Sequence, residues 1–157
     1  MSSVVQELLA RRQIEDLLVR RGRAADAKDP DAIIAEHVPG SRDEHGIFAG
    51  TIEQFAEFLR QNNYRDSRYG LQRHTIANAL IDFDSPDRAR VESYHLAYHR
   101  LALDAGEYDV DIGGRYLDVC ERLGGRWLLR SRTVVYDWSR SSLVTDNHLP
   151  RDAQEDT

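Results

Sequence analysis

Histidine is the side chain best suited to moving protons near neutral pH, and this chain carries six of them. His95 and His99 sit four apart in the run His95-Leu-Ala-Tyr-His99. On a helix that spacing could hold zinc, but the glutamate of the metalloprotease motif is missing and the neighbours alternate as strand residues do. On a strand the two would stand about 13 Å apart at roughly 3.3 Å per residue, too far to share one ion. No metal site is expected. No cofactor loop is expected either, because Gly113-Gly114 lacks both the Gly-x-Gly-x-x-Gly spacing and the following helix of a phosphate cradle. The remaining candidates are donors and acceptors for a small molecule. His95 and His99 share a strand face with Ser93 and Ala97, and either could enter a cavity. His45, Tyr64 and Tyr69 lie in segments without strong periodicity and could donate to a substrate oxygen. Arg130, Arg132 and Tyr136 alternate along one face of the last strand, with Trp127, Leu129, Ser131, Thr133 and Val135 on the other. Asp26 stands near a helix C-terminus, where the helix dipole disfavours a negative charge by roughly 0.3–1 kcal/mol. Local rules tend to be broken at functional sites.

These residues must be positioned by a single domain, since 157 residues leave little room for a second. Apolar residues make up 41% and charged residues 31%, enough of the former for a core. Lys plus Arg number 21 against 27 Asp plus Glu, a net charge of −6, which argues against sequence-independent nucleic-acid binding. Cys120 is the only cysteine, so no intramolecular disulfide can form. With no long apolar run and no signal-peptide pattern at the start, the expectation is a cytoplasmic protein without a membrane segment.

Val4, Val5, Leu8, Leu9, Ile14, Leu17, Leu18 and Ala25 keep a helical period, which predicts an amphipathic first helix to about Ala25. Arg20, Arg21 and Arg23 near its end read as a solvated basic face. Lys28-Asp29-Pro30 breaks the helix and opens a short second one over 31–37. Ile47-Phe48 suggests a short strand or hairpin, and Thr51-Ile-Glu-Gln54 has the form of a capping box starting a third helix. From Leu71 on, alternation predicts strands at about 71–83, 89–102, 108–122 and 126–138, joined by three short turns into an antiparallel meander. Gly113-Gly114 inside the third of these strands predicts a bulge or sharp bend. Residues 139–157 read as an extended arm or disordered tail after a domain over 1–138.

Arg12-Gln-Ile-Glu-Asp-Leu-Leu18, Ala25-Asp26-Ala-Lys-Asp-Pro-Asp31, Gly50-Thr51, His74, Gly114-Arg-Tyr-Leu-Asp118 and Gly125-Arg-Trp127 follow one another in an order that resembles the SnoaL-like, nuclear-transport-factor-2-like superfamily. The resemblance covers roughly residues 10 to 138. It implies an α+β fold: a cone-shaped barrel of strongly curved antiparallel sheet with three N-terminal helices on its concave face. The pattern is most similar to scytalone dehydratase, bile-acid dehydratase and hexachlorocyclohexane dehydrochlorinase. Those enzymes share an Asp at the end of the first helix and a His on the facing strand, positions that Asp26 and His74 match. The resemblance therefore implies an Asp-His dyad, with His74 as the base and Asp26 orienting it. His99 lies roughly where scytalone dehydratase has a second histidine, whereas Arg21 stands where the bile-acid enzyme has a tyrosine.

The expected function is that of a small lyase or isomerase, working without a cofactor on an apolar cyclic substrate such as a steroid, polyketide or aromatic derivative. Two other classes share the fold: a non-catalytic small-molecule binder and the accessory subunit of a ring-hydroxylating dioxygenase. All three predict a homodimer or homotrimer, because a curled sheet carrying Tyr94, Tyr98 or Trp127 outward would leave apolar surface in water.

Overall fold

The structure, a computed structural model, describes residues 3–46, 48–62 and 69–145. Its first element is the helix α1, Ser3–Asp26. Ile14, Leu17 and Leu18 bury one stripe of α1, while Val4 and Leu8 near its start stay exposed. After Asp26 the chain turns through Lys28 at φ 53°, and the Asp29 carboxylate accepts hydrogen bonds from the Asp31 and Ala32 N–H groups, each at 3.1 Å. That N-cap, with Pro30 in the first helical position, starts α2, Pro30–Ala35.

The second helix is shorter than its pattern predicts. His37 is not helical but opens the strand β1, His37–Glu44. Pro39 explains the difference, since a proline biases the residue before it, Val38, toward extended backbone. β2, Ala49–Thr51, pairs antiparallel with β1. Thr51 then caps α3, Ile52–Gln61, through the reciprocal bonds of a full capping box with Gln54.

Four long strands follow: β3, Tyr69–Ser85; β4, Arg88–Leu103; β5, Gly106–Leu123; and β6, Arg126–Leu143. They form the expected antiparallel meander, with Gly124 and Gly125 at φ 56° and 82° making the tight turn into β6. β6 runs on through Leu143, past its expected end at 138. The sheet order is β2-β1-β6-β5-β4-β3.

Two expectations about the sheet need correction. It is mixed rather than wholly antiparallel, because β1 lies parallel to β6 and covers the ladder groups that β6 would otherwise expose. It is also an open sheet with β2 and β3 at its edges, so the barrel does not close. The β1–β2 hairpin comes between α2 and α3, where a short strand or hairpin is expected.

Bulges set which residues face inward. One register shift falls at Gly113/Gly114, where a Cβ on Gly114 would lie 2.0 Å from the Val135 carbonyl oxygen, so only glycine permits this bend. A second, at Val119/Cys120, places Arg130 as the extra residue on β6. Strict alternation fails there. Trp127 and Leu129 before the bulge, and Arg132 and Val134 after it, are all buried. Trp127 thus belongs to the core and not to the outer face. It packs with Ile14, Leu17, Leu18, Ile81, Val91, Cys120 and Leu129 into one apolar cluster, its ring edge-on to Phe83 at 5.9 Å.

Candidate active site

The far end of α1 is held against β3 by small and polar residues in succession. A Cβ on Gly22 would sit 3.2 Å from Ile76 Cδ1 and 3.8 Å from His74 Cβ, so glycine lets the helix approach the strand here. Gln72, wholly buried on the same face of β3 as His74, donates to the Ala25 carbonyl. One helical turn past Gly22, Asp26 reaches His74, and its Oδ1 lies 2.8 Å from His74 Nδ1. The carboxylate can only accept, so Nδ1 carries the hydrogen and the lone pair of this tautomer sits on Nε2. Both side chains are mostly buried, at 14% and 18% exposure, which shields the pair without sealing it from a ligand.

A second polar cluster surrounds Arg21, which is buried at 3% exposure rather than solvated. Its Nε donates to His37 Nε2 at 3.1 Å, and His37 Nδ1 lies 3.1 Å from the Ser41 hydroxyl. Burial, reinforced by the Arg21 charge, pushes the His37 pKa down to about 2, so this imidazole is neutral. Asp43, fully buried, hydrogen-bonds His45 Nδ1 and stands 3.9 Å from the Arg21 guanidinium. Burial would raise the Asp43 carboxyl, but His45 and Arg21 together hold it below its ordinary value. His45 itself is pushed down by burial more than Asp43 lifts it. Its ring stacks on Phe55 with centroids 4.6 Å apart.

The third group is an ion pair. Arg132 donates from Nε and Nη2 to the two Asp118 oxygens at 2.8 and 2.7 Å, and its guanidinium lies 3.9 Å over the Tyr116 ring. Arg132, Arg21, His45, His74 and Tyr116 line one cavity of about 90 Å³, whose apolar wall comes from Ile33, Phe55 and Leu59.

The model of the SnoaL-like domain matches residues 6–133. The chain belongs to this family. Solved structures similar to this SnoaL-like domain include a provisionally named scytalone dehydratase from Novosphingobium aromaticivorans, 22% identical over 94% of this chain and 93% of that one, with a TM-score of 0.77. A hexachlorocyclohexane dehydrochlorinase of type 3 from Novosphingobium barchaimii is 20% identical over 94% and 99%, with a TM-score of 0.76. A protein of unknown function from Mycobacterium tuberculosis is 20% identical over 99% and 85%, with a TM-score of 0.71. At this identity the likeness concerns the fold. No curated protein matches the chain by sequence.

Not every candidate of the SnoaL-like domain reaches the cavity wall. His99 meets His74 edge-on with ring centroids 5.6 Å apart, and burial followed by the His74 charge lowers its pKa to about 4. His95 is buried flat against Tyr116 at 4.4 Å, and burial likewise takes its pKa to about 4. It packs behind Tyr116 as part of the wall's support. Tyr136 is half exposed and donates to the His45 carbonyl at 3.3 Å, bracing the turn after β1. Tyr64 lies outside the described residues, and of Tyr69 only the backbone is described, at the start of β3.

The sequence reading does not pick out Arg21, His37, Asp43, Tyr116 or Asp118 as site residues, although Tyr116 and Asp118 lie in the Gly114–Asp118 motif. A usable signal is present at the end of β1 and just past it, where Ser41, Asp43 and His45 alternate with Arg42 and Glu44. That is strand periodicity, with polar residues occupying the inward face.

Proposed function

We propose that this protein is a small acid–base enzyme, a lyase or isomerase, in which His74 takes a proton from carbon beside a carbonyl and Asp26 orients the base and stabilises its protonated form. The observation that carries this reading is the 2.8 Å contact between Asp26 Oδ1 and His74 Nδ1 at the wall of a cavity. Proton removal turns His74 into an imidazolium that Asp26 stabilises, and the electron pair moves into the substrate. It then either expels a β-leaving group or returns to a different carbon. Arg132 and Arg21 supply positive charge where an oxyanion or a departing anion would form.

The cavity bounds the substrate. About 90 Å³ is well below the roughly 300–1,000 Å³ of sites that engulf drug-sized ligands. The reacting portion of a cyclic molecule is what this space would enclose.

Assayed on cyclic β-hydroxy ketones, His74→Ala and Asp26→Asn are expected to lose about 10²–10⁴-fold in turnover, the usual worth of a positioned base, while urea denaturation still shows a folded chain. Turnover close to wild type in both variants would remove the mechanism. Tight binding with no chemical change in the wild type would favour a binding protein instead.

Self-association belongs to the same reading. Tyr94, Leu96, Leu117 and Trp138 are exposed on the outer face of the sheet and form an apolar area suited to a second copy. Sedimentation at micromolar concentration should show a dimer or trimer, and replacing Leu96 and Trp138 together by Ser should shift it toward monomer.

A further inference from the structure

Asp26–His74 is not the only carboxylate–imidazole pair on the cavity. His45 lines the same cavity from β1's end of the sheet, its Nδ1 bonded to Asp43 as His74 Nδ1 is bonded to Asp26. Phe55 stacked on the ring and Tyr136 on the backbone carbonyl fix the orientation of His45. With Nδ1–H given to a carboxylate that can only accept, Nε2 is the nitrogen left to meet a ligand, and it meets it as an acceptor. The hydrogen bond from His45, followed by the Arg21 charge, holds that carboxyl below its ordinary value against burial, so the proton stays on the imidazole side of the bond. Burial and two cations on the same cavity wall, Arg21 and Arg132, hold the His45 imidazole below its ordinary basicity, so it is neutral in the free protein and takes a proton only as an anionic oxygen forms beside it and those cations.

We propose that His45, oriented by Asp43, is a second base of this site, and that its ligands carry a hydroxyl of phenolic or enolic character which docks on His45 Nε2. The step balances within the cavity. The O–H bond breaks, its proton forms an N–H bond at Nε2, the new imidazolium is paired by Asp43, and the electron pair stays on the ligand oxygen near the guanidiniums. This extends the proposed function by naming a substrate feature, and rests on that reading only for where the substrate sits. A substrate would then present a C–H to His74 and an O–H to His45.

The probe is 4-nitrophenol, whose phenolate absorbs in the visible while the neutral phenol does not. In buffer one pH unit below the probe's own ionisation, saturating wild-type protein is expected to raise its phenolate fraction several-fold. His45→Gln should abolish that rise, and Asp43→Asn should reduce it. His74→Gln should leave it in place, which separates this inference from the dyad mechanism: loss of turnover in the His74 variant and persistence of the phenolate signal are independent results. Because Asp43 is buried, the His45 and Asp43 variants are first shown to be folded by urea denaturation. On the free wild type, nitrogen-15 shifts at pH 7 should show His45 with hydrogen on Nδ1 and none on Nε2. A phenolate signal unchanged in His45→Gln, a probe bound only as neutral phenol, a probe that does not bind, or a hydrogen on Nε2 would each overturn the proposal.

Discussion

The two ends of this domain share α1 and the long strands, yet they differ in what they bury. At one end Ile14, Leu17 and Leu18 of α1 meet Ile81, Val91, Cys120, Trp127 and Leu129 in a dry cluster. At the other, the last turns of α1 present Arg21, Gly22 and Asp26 to His37, Asp43, His74 and, across the cavity, Arg132. Burial at the first end stabilises the fold directly, at about 25 cal/mol per Å² of apolar surface removed from water. Burial of paired charges at the second is close to neutral or costs stability, since desolvation offsets their attraction. A domain that keeps a costly end must be stabilised by the other. What the costly end provides is a set of fixed donors and acceptors around a small space.

The largest effect that sharpens this contrast is predicted for Arg132. Replacing it by Met leaves Asp118 buried and without its bidentate partner, so a loss of about 3–5 kcal/mol is expected by urea denaturation. Replacing Arg132 by Met and Asp118 by Leu together should recover most of that loss. If the double variant is no better than the single, the pair stabilises the fold outright and the contrast fails.

Leu17→Ala at the dry end should cost about 2–5 kcal/mol through lost burial and an unfilled cavity, with turnover per folded molecule unchanged. A matched fall in turnover would mean that the two ends are coupled.

The third effect is on the pH dependence of stability, where the change expected in a single variant is the smallest of the three. Folding holds the pKa of His37 at about 2 and those of His95 and His99 at about 4, all below the ordinary 6.5. As pH falls below 6.5 the unfolded chain takes up protons that the folded chain refuses, so stability is lost. His95 and His99 cease to contribute near pH 4, and His37 continues alone toward pH 2. Each of these histidines contributes a slope of up to about 1.4 kcal/mol per pH unit between its folded and unfolded pKa. Urea denaturation between pH 6 and 4.5 should show this fall, with a shallower slope in His37→Gln. An equal slope in that variant would mean that His37 is not held neutral by the fold.

How legible this was in the sequence follows the same division. The dry end is the more legible: the apolar period of α1 leads to the buried Ile14, Leu17 and Leu18, although Val4, Val5, Leu8 and Leu9 of the same pattern are exposed, and the alternation of the long strands leads to the sheet they pack on. The polar end is less so, because inward polar residues carry no hydrophobic signal. Ser41, Asp43 and His45 fall in a segment whose pattern is too weak to mark an inward face, and Arg21 reads as one of three solvated arginines. Trp127 was assigned to the wrong face because the bulge at Arg130 breaks the alternation, and a bulge of one ordinary residue leaves no mark in composition. Gly113-Gly114 did leave one. Asp26 and His74 are 48 positions apart, and only their resemblance to a family pattern put them together before the structure gave the distance.

The central claim is that His74, held by Asp26, removes a proton from carbon. The most direct measurement is deuterium incorporation from heavy water into 3-hydroxycyclohexanone at the carbons beside its carbonyl, followed by proton NMR. It detects abstraction whether or not a leaving group departs. Wild-type protein is predicted to accelerate the exchange well above buffer, with the acceleration lost in both His74→Gln and Asp26→Asn. Exchange that is equal in wild type and variants, or no faster than in buffer alone, would contradict the account.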